Sequence, residues 1–198
     1  MSAASVVATA EITDEQVRGA SEAILAEVAH TVRAIDSSHT AEAAQMFSQA
    51  ERIFFTGAGR SGLVLRMAAM RFMHLGLTAY VVGESTTPAI SEGDLLVVAS
   101  GSGTTTGVVK NAEKAASLGA QILAVTTDDT SPLARLATST VLVPAAQKTE
   151  HGSKLSGQYS GSLFEQSLFI LTETIFQSLW KNSDSAAEEL WSRHANLE

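Results

Sequence analysis

The chain has 198 residues, with 13 Lys and Arg against 21 Asp and Glu, a formal charge of −8 and no cysteine. With 45% hydrophobic and 17% charged residues, it holds enough apolar material for the core of one ordinary domain. The missing Cys excludes a disulfide framework, a thiolate nucleophile, Cys-ligated zinc and iron–sulfur clusters. An acidic total with no Lys/Arg cluster argues against nucleic acid or an anionic membrane as the main partner. The apolar runs fall short of a membrane span, and the first residues lack the basic start and long apolar stretch of a signal peptide. A soluble, cytoplasmic protein is expected.

Residues 1–12 read as a disordered lead-in, and 13–198 as a single domain. An N-terminal helical arm occupies 13–50. There Val17, Ala20, Ile24, Val28, Thr31 and Ile35 recur at helical spacing, Asp36-Ser37-Ser38 interrupts, and Thr40 caps a second helix to Gln49. Five apolar runs then read as strands: Arg52–Thr56, Thr78–Val82, Asp94–Ser100, Gln121–Thr126 and Thr138–Val143. Helical stretches over Ser61–Leu75, Thr105–Leu118 and a short one at Ser131-Pro132 fall between them. Strands buried on both faces and alternating with helices predict an α/β, three-layer sandwich around a five-stranded parallel sheet. Residues 144–160 form a long polar loop carrying Lys148, His151, Lys154 and Gln158, of the length that often serves as a lid. C-terminal helices complete the chain over 162–194, an apolar one at Ser162–Leu179 and an acidic amphipathic one at Ser185–His194.

Two glycine-serine turns carry the chemistry. GAGRSG places Gly57, Gly59 and Gly62 in the dinucleotide spacing between a strand and a helix, and Glu84 lies near the distance of a ribose-binding carboxylate. A nicotinamide-dependent oxidoreductase rests on those features alone. The second turn, Ser100-Gly101-Ser102-Gly103-Thr104-Thr105-Thr106, sits flush between a buried strand and a helix. Its glycines let backbone N–H groups converge, its hydroxyls add donors, and the helix adds its positive end. That is a phosphate cradle without lysine. Two such turns meeting in one crevice suit a small phosphorylated substrate better than a pyrophosphate.

The segments RIFFTGAGRSG, MRFMHLG, VVGESTTPAI, GDLLVVASGSG, GSLFEQSLFI and RHANLE together resemble the 6-phospho-3-hexuloisomerases of the sugar-isomerase (SIS) domain family. The resemblance implies a flavodoxin-like SIS fold and conversion of D-arabino-3-hexulose 6-phosphate to fructose 6-phosphate. That reaction is the second step of formaldehyde fixation in the ribulose monophosphate pathway. It also implies a homotetramer with no metal and no organic cofactor. By the same resemblance Ser61, with Gly59 and Arg60 beside it, binds substrate. Ser100, Gly101, Ser102, Gly103, Thr104 and Thr105 form the phosphate loop, Thr104 standing where many SIS proteins have Glu. Glu165 matches the proton-transfer base.

Moving a carbonyl from C3 to C2 requires one base to take the C2 proton and return a proton to C3 through a 2,3-enediolate. A carboxylate suits that task when partial burial raises its pKa. Glu165 opens an apolar helical face directly after a polar loop, although such a residue also complements a helix dipole. The 3-hexulose, phosphorylated on O6, closes no unstrained ring, so the forward reaction needs no ring-opening acid. His194 is the family-matched acid–base helper, from its own or a neighbouring subunit, against the plainer reading of a C-terminal helix charge. His74, on a Met-rich helix, is a further candidate, with a core or interface role as its competitor. Arg60 is placed to pair with the phosphate or with a carboxylate, and Trp180 and Trp191 to pack between subunits. A non-catalytic phosphosugar sensor and an isomerase of another sugar phosphate stay open beside the leading reading. A sensor normally carries a DNA-binding module for which the short arm has no pattern.

Overall fold

The computed structural model describes residues 11–146 and 156–197. The start of the expected lead-in, and Lys148, His151 and Lys154 of the proposed lid, lie outside the described residues. Helix α1 (Asp14–Ala34) opens with a capping box: Thr13 Oγ1 accepts from the Gln16 N–H and Gln16 Oε1 accepts from the Thr13 N–H. Helix α2 (Ser37–Gln49) starts ahead of the expected Thr40. Asp36 caps it instead, its Oδ1 accepting from the Ser38 N–H at 2.7 Å. The polar triplet that reads as an interruption is therefore a cap and a first turn.

From there β1 (Ile53–Gly57), α3 (Gly59–His74), β2 (Ala79–Val81), β3 (Leu95–Ala99) and α4 (Thr106–Ser117) follow in order. They are succeeded by β4 (Gln121–Thr126), α5 (Pro132–Leu136), β5 (Ser139–Leu142), α6 (Ser162–Lys181) and α7 (Ala187–Trp191). The acidic C-terminal segment is helical only over α7, shorter than the expected 185–194. Every strand pair is parallel and the order is β2-β1-β3-β4-β5, the doubly wound arrangement expected.

The apolar strands divide their side chains by simple alternation. Ile53, Phe55, Leu95, Val97, Ala99, Leu123 and Val125 face a core shared with α2, α3 and α6. Phe54, Leu96, Val98, Ile122 and Ala124 face Val108, Ala112 and Ala115 of α4 and Leu133 of α5. On the first face Phe72 is fully buried, with ring centroids 4.3 Å from Phe47, 6.0 Å from Phe55 and 6.1 Å from Phe176. One side chain thus ties α3 to α2, β1 and α6. Among the described residues no helix is long and apolar enough to cross a membrane.

At the amino end of β3 the sheet buries a charge. Asp94 is fully enclosed and accepts from Arg52 Nε at 2.8 Å and Nη2 at 2.6 Å, and from the Ser91 N–H at 2.7 Å. Burial alone pushes this carboxyl up, but the Arg52 pairing and the Ser91 hydrogen bonds outweigh it and hold its pKa below the usual range. A depressed carboxyl pKa contributes stability that is present above about pH 4 and is lost as pH falls through the folded-state value. Asp94→Asn should cost about 3–5 kcal/mol at neutral pH, because Arg52 loses its counter-charge. In melts from pH 7 to pH 3, the variant's Tm should fall less steeply at the acid end than that of the wild type.

Candidate active site

The sheet changes direction between β1 and β3: the chain leaves β1 to one side for β2 and to the other for β3. Loops leaving the carboxyl ends of two such strands diverge and open a crevice. Those loops are the two glycine-serine turns. They line a cavity of about 170 Å³ with Gly59, Ser61, Ser100, Gly101, Ser102 and Thr105. A groove of about 560 Å³ between α1, α2 and α6, lined by Val32, Ile35, Ala44, Leu171 and Leu179, is larger but carries no ionisable side chain. The smaller cavity is the one that gathers the polar groups of both turns.

Backbone contact sets the first turn. A Cβ on Gly62 would lie 2.6 Å from the Gly57 carbonyl oxygen, so only glycine lets α3 start this close to β1. Ser61 is thereby buried at the helix N-terminus with its side chain in the crevice. The second turn is braced from below. The Gly101 carbonyl accepts from Thr126 Oγ1 at 3.1 Å, the Thr127 N–H at 3.0 Å and Thr127 Oγ1 at 2.8 Å. Gly103 has φ +62°, and a Cβ there would meet Ser131 Oγ at 2.1 Å. Thr105, the N-cap of α4, spends its hydroxyl on Ser100 Oγ at 3.0 Å rather than on the helix, and with the Val108 N–H bonded to the Thr105 carbonyl at 2.9 Å the Thr106 and Gly107 N–H groups are the ones open to an anion.

Not every expected residue lines the cavity. Gly103 is buried beneath it, and Thr104 is exposed with its Oγ1 donating to Ser102 Oγ at 2.9 Å, away from the lining. Arg60 points the other way, to Glu165: its Nε lies 2.9 Å from Glu165 Oε2, and its Nη1 donates to Ser162 Oγ at 3.1 Å. Glu165 is 3% exposed in its side chain and Arg60 56%, so the guanidinium lies over a buried carboxylate. A third wall went unnoticed in the sequence: Ala146, Gly161 and Phe164 also line the cavity. Gly161 caps α6 with φ +84°, and that glycine just before an apolar helix was the available signal.

The histidines are elsewhere in the protomer. His74 ends α3, fifteen residues from Gly59, so ~22 Å of helix separates it from the crevice. His194 stacks on it, with ring centroids 4.0 Å apart and planes at 28°, and Trp191 lies 4.8 Å from the His194 ring. Arg193 Nη1 donates to the His74 carbonyl at 3.0 Å and holds the tail there. Burial, and then the nearby charges of His194 and Arg71, push the His74 pKa down. Neither histidine reaches the crevice of its own protomer, which leaves the neighbouring-subunit alternative for His194. Glu84, the carboxylate of the dinucleotide reading, forms an ion pair with Arg66 on α3. Among the described residues no cluster of His, Asp and Glu could hold a metal ion.

Comparison with known proteins places this geometry in context. Residues 46–170 match the model of the SIS domain. A 3-hexulose-6-phosphate isomerase from Mycobacterium gastri is 63% identical over 172 residues, covering 87% of this chain and 86% of that protein. The one from Bacillus subtilis is 36% identical over 176 residues, covering 88% and 95%. Among solved structures, a Methanococcus jannaschii protein whose crystal structure infers a molecular function of 3-hexulose-6-phosphate isomerase superimposes with a TM-score of 0.76. It is 30% identical, with 93% of this chain and 99% of that one covered. If Gly103 is needed for the cradle, Gly103→Ala should lower Tm by several degrees and weaken fructose 6-phosphate protection against melting. Differential scanning fluorimetry with and without the sugar checks both.

Proposed function

The chain belongs to the SIS-domain family, and from that premise we propose that it interconverts D-arabino-3-hexulose 6-phosphate and fructose 6-phosphate. It is a sugar-phosphate isomerase. The observation that carries the reading is the junction of a phosphate cradle with a buried carboxylate on the first turn of the adjoining helix. In this reading Ser61, Ser100, Ser102, Thr105 and the α4 N-terminus hold the phosphate. The sugar chain then extends along Gly161 and Phe164 toward Glu165.

Glu165 takes the proton from C2, the electron pair moves into the C2–C3 bond, and the C3 carbonyl oxygen becomes the enediolate oxygen. The same carboxyl returns the proton to C3 while the O2 proton passes to O3, so the carbonyl re-forms at C2 and C3 keeps a hydroxyl. Arg60 steadies the carboxylate through its ion pair and its bond to Ser162. Thr104 takes no direct part. His194, with His74 behind it, supplies the acid–base help from a neighbouring subunit, since the protomer's own pair is a helix length away. A symmetric tetramer in the cytoplasm, acting in the second step of formaldehyde fixation, completes the proposal. A buried carboxylate at the cradle's edge favours an enzyme over a sensor built on the same domain.

The test generates the 3-hexulose 6-phosphate in place from formaldehyde and ribulose 5-phosphate, and reads fructose 6-phosphate through coupled dehydrogenation. Wild type should turn over, and Glu165→Gln should lose roughly 10²–10⁴-fold in kcat with its Tm retained. Full turnover in Glu165→Gln moves the base elsewhere. Co-expression of Glu165→Gln with His194→Ala subunits should give oligomers more active than the mean of the two parents. Activity equal to that mean would remove His194 from a shared site.

A further inference from the structure

Helix α1 lies outside the β-α series, yet one of its side chains closes a network on the segment that leads into α6. The Glu27 carboxylate accepts from Ser156 Oγ at 2.7 Å, from the Gly157 N–H at 2.8 Å and from Gln158 Nε2 at 3.0 Å. Three donors from three consecutive residues converge on one carboxylate. The Ser156 bond first, with Gln158 and Gly157, holds the Glu27 pKa below the ordinary carboxylate range. Gln158 then passes the contact on: its Oε1 accepts from Gln166 Nε2 at 2.9 Å, one residue beyond Glu165.

The stretch so held is the entry to α6. Between Gln158 and the helix the chain makes a tight turn, with the Ser162 N–H donating to the Tyr159 carbonyl at 3.1 Å and Gly161 in the left-handed region. Gly161 lines the cavity, Ser162 accepts from Arg60, and the Glu165 N–H bonds the Gly161 carbonyl at 3.2 Å. The phosphate loops are set by their own glycines and by β4. The wall bearing the base has no such local template, because residues 143–161 contain no strand or helix among those described. Its register therefore depends on a contact from outside.

We propose that Glu27 is a positioning residue for the reaction: through Ser156, Gly157 and Gln158 it fixes the first turn of α6, and with it the Glu165 carboxylate, against the phosphate cradle. This rests on the isomerase reading above. The chemistry of the clasp explains the residue type. Three convergent donors need an acceptor with two oxygens and a negative charge. Proton abstraction tolerates little misplacement, so a drift of about 1 Å in the base is worth up to about a hundredfold in rate.

The test compares wild type, Glu27→Ala, Glu27→Gln, Gln158→Ala and the Glu27→Ala/Gln158→Ala pair, each assayed well below its Tm. Glu27→Ala should lose roughly ten- to a hundredfold in kcat, with KM little changed because the cradle is untouched. Glu27→Gln, which keeps one acceptor oxygen, should fall between. The pair should cost about as much as Glu27→Ala alone, since both changes cut one network. Hydrogen–deuterium exchange should quicken over 156–166 while the strands stay protected. Unchanged kcat in folded Glu27→Ala, additive losses in the pair, or exchange raised evenly along α1 and α6 would each overturn the proposal and leave a purely structural role. If wild type itself fails to turn over, the isomerase reading fails, and exchange alone decides whether Glu27 holds the α6 entry.

Discussion

The site depends on how closely a helix can begin beside a strand. Gly57 ends β1 and Gly62 lies in the first turn of α3, and their backbones touch so closely that one methyl group would drive them apart. Because they touch, the amino end of α3 projects over the carboxyl edge of the sheet at the point where β1 and β3 send their loops in opposite directions. Ser61 enters the crevice on that helix, and Arg60 reaches across to Ser162 and Glu165. Had the turn carried side chains instead of glycines, α3 would start farther out. Glu165 would then lose its counter-ion and the crevice its second wall of donors.

The same turn explains why a dinucleotide reading was attractive and why it fails. The glycine spacing serves close strand–helix packing in both cases, so it reports the packing and not the ligand. What distinguishes the two is the second carboxylate. Glu84, which a ribose would need, forms an ion pair with Arg66 on α3 instead. Across the crevice, the Ser100 and Thr105 hydroxyls bond each other, and no side chain caps the first N–H groups of α4. A single phosphate suits those groups, with both glycine-serine turns lining one cavity of about 170 Å³.

How far the chain could be read without coordinates follows contact distance along it. The five strands, their alternation and the two turns are local patterns of apolar spacing and glycine placement, and they stand within a residue or two of where they were expected. Asp36 shows the limit of even local reading: the residue that looked like a break is the cap. The wall carrying Glu165 was seen only in part. Arg60 meets Ser162 across 102 positions and Glu27 meets Gln158 across 131, and no spacing rule reports such pairs. The His74–His194 stack is another case: His74 ends α3 and His194 lies three residues beyond α7, and only folding sets one ring on the other.

Binding and chemistry are thus built by different means in one crevice. The phosphate cradle is made of short loops whose geometry is enforced within a few residues and by neighbouring strands, so it survives changes far away in the chain. The carboxylate wall is held by an arginine from the other turn, by a clasp from the N-terminal arm and by a left-handed glycine. In the proposed mechanism such a division lets phosphate recognition persist while turnover is lost, because that mechanism assigns the proton to Glu165 and not to the cradle. It also gives the N-terminal arm a chemical reason to exist. Helix α1 forms no part of the β-α series, but it packs on α6 and its Glu27 bonds the segment that leads into that helix.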